Sequence, residues 1–332
     1  MHEPMKTAIM VTGAAGFIGF HTALTLLKQG KVVIGVDNLN PYYDVQLKKD
    51  RLKLLQAYPN FIFHEADISD REAMGRIWKE HAPIHHVINL AAQAGVRYSL
   101  LDPFPYITSN IMGFMVILEL CRHQPGFQHL VYASTSSVYG TNKEMPFVET
   151  QRTDSPMSLY AATKRCNELM AQSYHHLYNL PVSGLRFFTV YGPWGRPDMS
   201  AFKFMKSMLA DEPIDVYNHG NMSRDYTYVD DIVAGILGAL DHPQQVAKDE
   251  LHPVYNLGNN QCESLMTFVQ VLEQSLNITA KKNFLPLQDG DVPATAADIS
   301  AATKAFGYHP STPIQVGLPR LVAWYKEYNQ LS

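Results

Sequence analysis

Near the start of the chain, the segment Thr12-Gly13-Ala14-Ala15-Gly16-Phe17-Ile18-Gly19 lies between two apolar runs. Ala8-Ile9-Met10-Val11 stands ahead of it. After a mostly apolar stretch ending at Gly30 comes Val32-Val33-Ile34-Gly35-Val36-Asp37. Strand, tight turn, helix, strand and a terminal acid, in that order, predict the first βαβ unit of a parallel sheet. Each glycine has its own reason. Gly13 permits the tight turn, Gly16 lets backbone approach a pyrophosphate, and Gly19 lets the helix sit close on the sheet. The helix N-terminus offers unpaired N–H groups to phosphates. Asp37, 18 residues beyond Gly19, is placed to accept hydrogen bonds from an adenosine ribose, which favours NAD over a 2′-phosphorylated cofactor. The spacing is GxxGxxG rather than GxGxxG, so the first turn differs slightly from the commoner fingerprint.

A chain of 332 residues can hold one large α/β unit or two domains sharing an interface. Its 46% hydrophobic content supports a sizeable core. A formal charge of −4 argues against a nucleic-acid surface. No apolar run is long enough to span a bilayer, and the N-terminus runs almost directly into the first strand. Neither a membrane anchor nor a secretion signal is therefore expected, and the location is read as cytoplasmic. Cys121, Cys166 and Cys262 are widely spaced in helix-like contexts; they read as buried small apolar residues, with no disulfide and no metal.

Strands and helices then alternate. The charged stretch Val45–Ala57, with Lys48, Lys49, Arg51 and Lys53, reads as a solvated helix face. Phe61-Ile62-Phe63 is the third strand, and Ser69 or Asp70 caps a helix reaching about Glu80. Asp67, just past that strand, either meets an adenine amine or serves loop hydrogen bonding. Val87-Ile88-Asn89-Leu90 is a fourth strand running into Ala91-Ala92-Gln93-Ala94-Gly95, whose small residues let a flat cofactor lie across the strand ends. A mostly apolar helix spans Pro105–His123; within it Asn110 either braces nearby loop backbone or is simply exposed. Leu130-Val131-Tyr132-Ala133 and Ser183–Phe187 supply the fifth and sixth strands.

Beyond Val190, glycine and proline break the pattern at Tyr191–Pro197. A helix at Ala201–Leu209, a strand at Ile214–Tyr217, helices at Ile232–Leu240, Ser264–Leu276 and Ser300–Phe306, and a closing helix at Pro313–Tyr328 form too mixed a tail for continued repetition. The expected fold is α/β: a Rossmann-type parallel sheet with helices on both faces, plus a smaller mixed α/β C-terminal substrate domain. Residues 1–188 and 225–258 are assigned to the first, and 189–224 and 259–332 to the second. Asp241–His252 is the expected mobile loop.

After the fifth strand the chain reads Ser134-Thr135-Ser136-Ser137-Val138-Tyr139-Gly140, and later Tyr160-Ala161-Ala162-Thr163-Lys164. Tyr160 and Lys164, four apart, share one helix face. A phenol near its usual pKa of about 10 is a poor base. A neighbouring ammonium and a cationic cofactor ring would bring it toward working pH. Tyr160 could then take a hydroxyl proton while the same carbon is oxidised, with Thr135 orienting that hydroxyl.

The glycine turn, Ala133–Gly140 and Tyr160–Lys164 resemble the extended branch of the short-chain dehydrogenase/reductase superfamily, the NAD-dependent nucleotide-sugar epimerases and dehydratases. The segments Ala94–Ser99, Leu185–Met199 and Asp215–Gly220 resemble the members that act on UDP-glucuronate, and the likeness covers essentially the whole chain. The resemblance implies C4 epimerisation of UDP-glucuronate to UDP-galacturonate through a transient 4-keto sugar, with retained NAD. It implies Thr135, Tyr160 and Lys164 as catalytic. It places NAD at Gly13, Gly16, Phe17, Ile18, Gly19, Asp37, Asn38, Asp67, Ile68, Leu90, Ala91, Ala92, Asn110 and Ser134, with Tyr160 and Lys164. It places the UDP-sugar at Arg97, Thr135, Ser136, Thr189, Arg196, Tyr217, Arg224 and Asp291. Arg196 is the implied sugar-carboxylate partner, Arg224 a diphosphate contact and Tyr217 an uracil-packing aromatic. A homodimer through helices 105–123 and 158–178 is also implied, where periodicity alone says only that both helices are buried.

Other activities remain open. A 4,6-dehydratase needs Asp-Glu after the catalytic threonine, and Ser136-Ser137 cannot supply those carboxylates. A UDP-glucuronate decarboxylase shares the first oxidation, and a UDP-galactose 4-epimerase uses the same Tyr/Lys chemistry on a neutral sugar. A nucleotide-sugar sensor without turnover would keep the fold but has no need of Thr135, Tyr160 and Lys164 together. Arg196 discriminates among the epimerases, unless it braces its Gly/Pro loop or an inter-subunit contact.

Overall fold

The computed structural model describes residues 8–288 and 290–331, so the first seven residues that lead into the first strand lie outside the described residues. The first half alternates strand and helix as expected. β1 (Ile9–Thr12), α1 (Phe17–Lys28), β2 (Val33–Asp37), α2 (Val45–Gln56), β3 (Phe61–Glu65), α3 (Arg71–His81) and β4 (His86–Asn89) follow one another. A short α4 (Tyr98–Leu101) precedes α5 (Gly113–His123), β5 (His129–Thr135), α6 (Leu159–Tyr178) and β6 (Val182–Phe187). The remainder is mixed: β7 (Thr189–Tyr191), α7 (Ser200–Leu209), β8 (Ile214–Val216), β9 (Ser223–Tyr228), α8 (Val229–Asp241), β10 (Val254–Leu257) and β11 (Cys262–Ser264). It closes with α9 (Leu265–Leu276), β12 (Lys282–Phe284), α10 (Ser300–Phe306) and α11 (Ile314–Tyr328).

Seven parallel strands form the central sheet in the order β10-β6-β5-β4-β1-β2-β3. β1 and β2 are buried along their whole length, as strands covered by helices on both faces must be. One core layer packs α1 and α8 through Phe20, Leu26, Ile232 and Ile236; the opposite layer includes Met74, Trp78, Phe114 and Ile117 of α3 and α5. The order reverses between β1 and β4. Their following loops therefore diverge and leave a crevice at the carboxyl ends of the strands, the place where such sheets bind ligands. A three-stranded sheet, β11-β9-β7, and a two-stranded one, β12-β8, build a smaller second region with its own apolar core around Phe204, Met205, Phe268 and Leu318.

Several local expectations change or are narrowed. The helix expected over Pro105–His123 opens as a π-helical turn, Tyr106–Met112, before α5 begins. The wider turn carries buried Asn110 inward, where its carboxamide bonds the Gln93 backbone on both sides. The solvated basic face also divides: Lys49 and Lys53 are exposed, but Lys48 and Arg51 are buried. Arg51 donates to the carbonyls of Ala15 and Gly195 at 2.8 and 3.1 Å and to the Tyr43 hydroxyl at 2.8 Å. A buried guanidinium needs such acceptors, and here they tie α2 to the glycine turn and to the loop after β7. Cys262, expected to be buried in a helix, is exposed because it begins the edge strand β11. Asp70 rather than Ser69 caps α3, accepting from Glu72 and Ala73 N–H, a bond worth about 1 kcal/mol. Part of the loop expected to be mobile is held to α6, with His175 and His176 bonding the carbonyls of Ala247 and Lys248.

Candidate active site

A cleft of about 880 Å³ runs from the glycine turn to the second region. At one end, β1 stops at Thr12 and Gly13 turns with φ +70°. A Cβ on Gly13 would stand 2.8 Å from the Ala91 nitrogen, and one on Gly19 only 2.0 Å from the Gly13 carbonyl oxygen. Helix, turn and β4 loop are thus packed as closely as backbone allows. The N-cap of α1 is Gly16, which brings no side-chain acceptor to the first-turn N–H groups. Asp37 ends β2 within the cleft. Its carboxylate accepts from the N–H groups of Ala15 (3.1 Å) and Leu39 (2.9 Å), with the Lys48 ammonium 3.9 Å away. Asp67 accepts from Ser69 and from the Asn38 side chain, which keeps its carboxyl below the usual range although burial pushes it up. A dinucleotide fits this end: a cradle without Cβ atoms, helix N–H groups for phosphate and a carboxylate at the second strand end.

In the middle, β5 delivers Thr135 and the start of α6 delivers Tyr160. Ser158 caps that helix by accepting from the Ala161 N–H at 3.1 Å, which fixes where its first turn points. One turn on, buried Lys164 donates from Nζ to the Ala133 carbonyl at 2.9 Å, joining helix to strand. Burial pulls Lys164 down to about 8. Burial raises the Tyr160 phenol, opposed by the Arg196 charge and a hydrogen bond with Thr135. In the protein alone, then, the cation pressing on the phenol is Arg196. Lys164, expected to act together with the bound cofactor, turns its ammonium to the Ala133 carbonyl.

At the far end, Asp291 stands between two guanidiniums, 3.3 Å from Arg97 Nη2 and 3.7 Å from Arg224 Nη2. Arg97 also lies 5.0 Å from the Tyr217 ring centre. Arg224 donates to the carbonyls of Ser223 and Pro293, at 2.9 and 3.1 Å, so its position is set by backbone. Ser136, Thr189 and Arg196 line the same cleft.

Every site residue expected from sequence lines this one cleft except Asn110. Its amide instead bonds Gln93 backbone and the Thr163 hydroxyl, and its carbonyl accepts from Asn167, so it braces the floor from behind. Other participants were not foreseen. Asp198 forms a two-point pair with Arg196 and accepts from Tyr42; both line the cleft. Glu168, buried four residues beyond Lys164, accepts from Ser134 at 2.6 Å and pairs with Arg186. Its spacing along Tyr160-Lys164-Glu168 was the available signal, since residues four apart share a helix face.

Residues 9–258 match the model of the NAD dependent epimerase/dehydratase family. The chain is similar to Protein CapI of Staphylococcus aureus, 51% identical over 96% of this chain and 98% of that protein. It is similar to UDP-glucuronate 4-epimerase 2 of Arabidopsis thaliana, 46% identical over 97% of this chain and 76% of the plant protein. Among solved structures it resembles UDP-glucuronic acid 4-epimerase from Bacillus cereus in complex with UDP-glucuronic acid and NAD. That match has a TM-score of 0.90 and 34% identity, covering 97% of this chain and 100% of the other.

Proposed function

The chain belongs to the NAD-dependent epimerase/dehydratase family, as a nucleotide-sugar 4-epimerase, and from that premise we propose that it interconverts UDP-glucuronate and UDP-galacturonate by inversion at C4. The carrying observation is that Arg196, Ser136 and Thr189 line the same cleft as Tyr160 and Thr135. A cation beside the proposed base suits a sugar bearing a carboxylate next to the reacting carbon. NAD is the cofactor, and when bound it supplies the two-electron oxidant for C4. Gly13, Gly16 and the first turn of α1 would hold its pyrophosphate, Asp37 the adenosine ribose, and Lys164 the other ribose.

Tyr160 takes the proton from the sugar O4 and returns it after inversion; Thr135 holds that hydroxyl in line. Burial holds the Tyr160 phenol above its ordinary value, and the Arg196 charge and the Thr135 hydrogen bond work against that rise. Arg224 and Arg97 anchor the diphosphate end, with Tyr217 packing against the base. Anchoring at that distance leaves the sugar free to turn and present its other face. Oxidation at C4 makes a glucuronate sugar a β-keto acid, which loses carbon dioxide if its carboxylate bond aligns with the carbonyl π system. Arg196, with Ser136 and Thr189, holds the carboxylate out of that alignment.

A neutral-sugar epimerase is the second reading, favoured by one observation: Arg196 is already paired with Asp198. NMR of the purified protein with UDP-glucuronate and no added cofactor separates the outcomes. UDP-galacturonate is expected. A pentose product means decarboxylation, and turnover of UDP-glucose alone overturns the substrate assignment.

The same reading makes the protein a cytoplasmic homodimer. Its three free cysteines suit a reducing compartment. Ile107, Met112, Leu169, Leu177 and Tyr178 leave apolar side chains exposed on the π-helical turn before α5 and on α6, the surface through which a second copy would pair. No helix among the described residues is long and apolar enough to cross a membrane.

A further inference from the structure

Arg196 faces the cleft with one edge of its guanidinium committed. Nε and Nη2 donate to the two carboxylate oxygens of Asp198 at 3.0 and 2.5 Å. The Tyr42 hydroxyl donates to the same carboxylate at 2.9 Å. Tyr42 belongs to the loop after β2, whereas Arg196 and Asp198 belong to the loop after β7, so the contact joins two walls of the cleft. Burial works against the Asp198 charge, but Arg196 keeps its carboxyl below the ordinary range. Burial and the same carboxylate push the Tyr42 phenol up to about 12, so Tyr42 remains a donor at neutral pH. A sugar carboxylate can reach this guanidinium only through its remaining terminal edge or by displacing Asp198.

We propose that Asp198, held by Tyr42, is a specificity-determining counter-ion that sets how tightly Arg196 grips the carboxylate of a uronate sugar. The proposal rests on the reading of UDP-glucuronate as substrate. An unpaired guanidinium in a water-poor cleft would bind that carboxylate strongly and in one pose, and a sugar held so cannot turn. Pairing with Asp198 brings the net charge of the couple to zero. The carboxylate is then recognised by hydrogen bonds from a fixed edge with a weakened Coulomb attraction. A neutral sugar meets the same polar edge with no charge to lose, so Asp198 matters to it far less.

Binding is read by calorimetric titration of UDP-glucuronate and UDP-glucose into the cofactor-loaded protein, in a Tyr160→Phe background that cannot move the O4 proton. Asp198→Asn removes the counter-charge and keeps the shape. It is expected to tighten UDP-glucuronate about tenfold, the order of one charge-assisted hydrogen bond, and to change UDP-glucose by less than about twofold. Restoring Tyr160 in the same variant should lower kcat and KM for UDP-glucuronate together. Tyr42→Phe frees Asp198 from its second donor and should act on Kd in the opposite direction from Asp198→Asn: a carboxylate released from Tyr42 pairs more fully with Arg196. It keeps the test open if Asp198→Asn does not fold. Unchanged or weaker UDP-glucuronate binding in Asp198→Asn overturns the proposal, as does an equal change for both sugars. If only Tyr42→Phe folds, unchanged or tighter UDP-glucuronate binding overturns it. A protein with native Tyr160, Tyr42 and Asp198 that turns over UDP-glucose but never UDP-glucuronate overturns the substrate reading itself, a result distinct from either.

Discussion

Ser134 donates a 2.6 Å hydrogen bond to Glu168, and Glu168 in turn meets the buried guanidinium of Arg186 through both oxygens at 2.9 Å. Ser134 adjoins Thr135 on β5, Glu168 lies one turn past Lys164 on α6, and Arg186 lies on β6. The pair therefore fixes the helix that carries the proposed base against the strand that carries its hydroxyl partner.

Replacing Glu168 with Gln should leave Arg186 buried with half its partner. Breaking one side of such a pair costs about 3–5 kcal/mol. Urea unfolding at pH 7 should show a loss in that range, and turnover should fall because Thr135 and Tyr160 no longer share a fixed frame. A loss below about 1 kcal/mol would mean that water relieves Arg186 and that the pair is not a brace.

Gly19→Ala tests the cradle. The added Cβ would stand 2.0 Å from the Gly13 carbonyl oxygen, which is backbone and cannot rotate away. Helix α1 must then lift from the turn, at a cost of roughly 1–3 kcal/mol. The variant is expected to fold but to purify with little NAD, measured by chromatography of the nucleotide released on denaturation. Gly30→Ala is the matched control, with open space around its Cβ and only its φ of +76° to oppose it; it should retain cofactor.

The turn, the sheet and the Tyr160–Lys164 spacing were legible because each depends on neighbours in sequence. Glycines recur at a fixed interval, apolar runs have strand length, and residues four apart share a helix face. The burial of Lys48 and Arg51 was not legible. Arg51 is paired with Trp194 and Gly195, far along the chain, and nothing in a charged helix announces carbonyls waiting on another loop. The π-helical turn was hidden for a similar reason, since Asn110 is drawn inward by Gln93 and Thr163. Asp198 sat two residues from Arg196 in plain view. Its spacing does not say whether a nearby opposite charge faces the arginine or solvent.

Lys164→Met should stabilise the cofactor-free protein while abolishing turnover. Burial pulls the ammonium down to about 8, a penalty of about 3 kcal/mol at neutral pH. Losing the bond to the Ala133 carbonyl returns about 1 kcal/mol, leaving a gain of about 2 kcal/mol. A lowered lysine binds its proton more weakly in the folded than in the unfolded chain. The penalty is therefore complete below pH 8 and fades between pH 8 and the ordinary lysine value. The advantage of Lys164→Met in urea unfolding should accordingly shrink from pH 7 to pH 9.5. A constant advantage would trace the effect to packing.

Arg196→Ala should raise KM for UDP-glucuronate by at least tenfold and alter that for UDP-glucose by much less, because only the first loses a charge-assisted contact. It also removes the charge that favours the Tyr160 phenolate. The pH–rate profile for either sugar should therefore move to higher pH. Equal losses on both sugars with no shift in the profile would make Arg196 a loop brace held by Asp198.

The proposed dimer can be split without touching the cleft. Leu169 and Leu177 are 53% and 59% exposed on α6, and Ile107 and Met112 are similarly open on the turn that packs beside it. Leu169 and Leu177 are two turns apart and share one face of that helix. A two-fold interface uses every residue twice, so changing both leucines to Glu removes four apolar contacts worth roughly 1 kcal/mol or more apiece. It also places like charges across the axis. Light scattering behind a sizing column should report a dimer for the native chain and a monomer for the variant at micromolar concentration, with helical circular dichroism retained. A native chain that already elutes as a monomer, or a double variant that remains a dimer, would remove α6 from the interface.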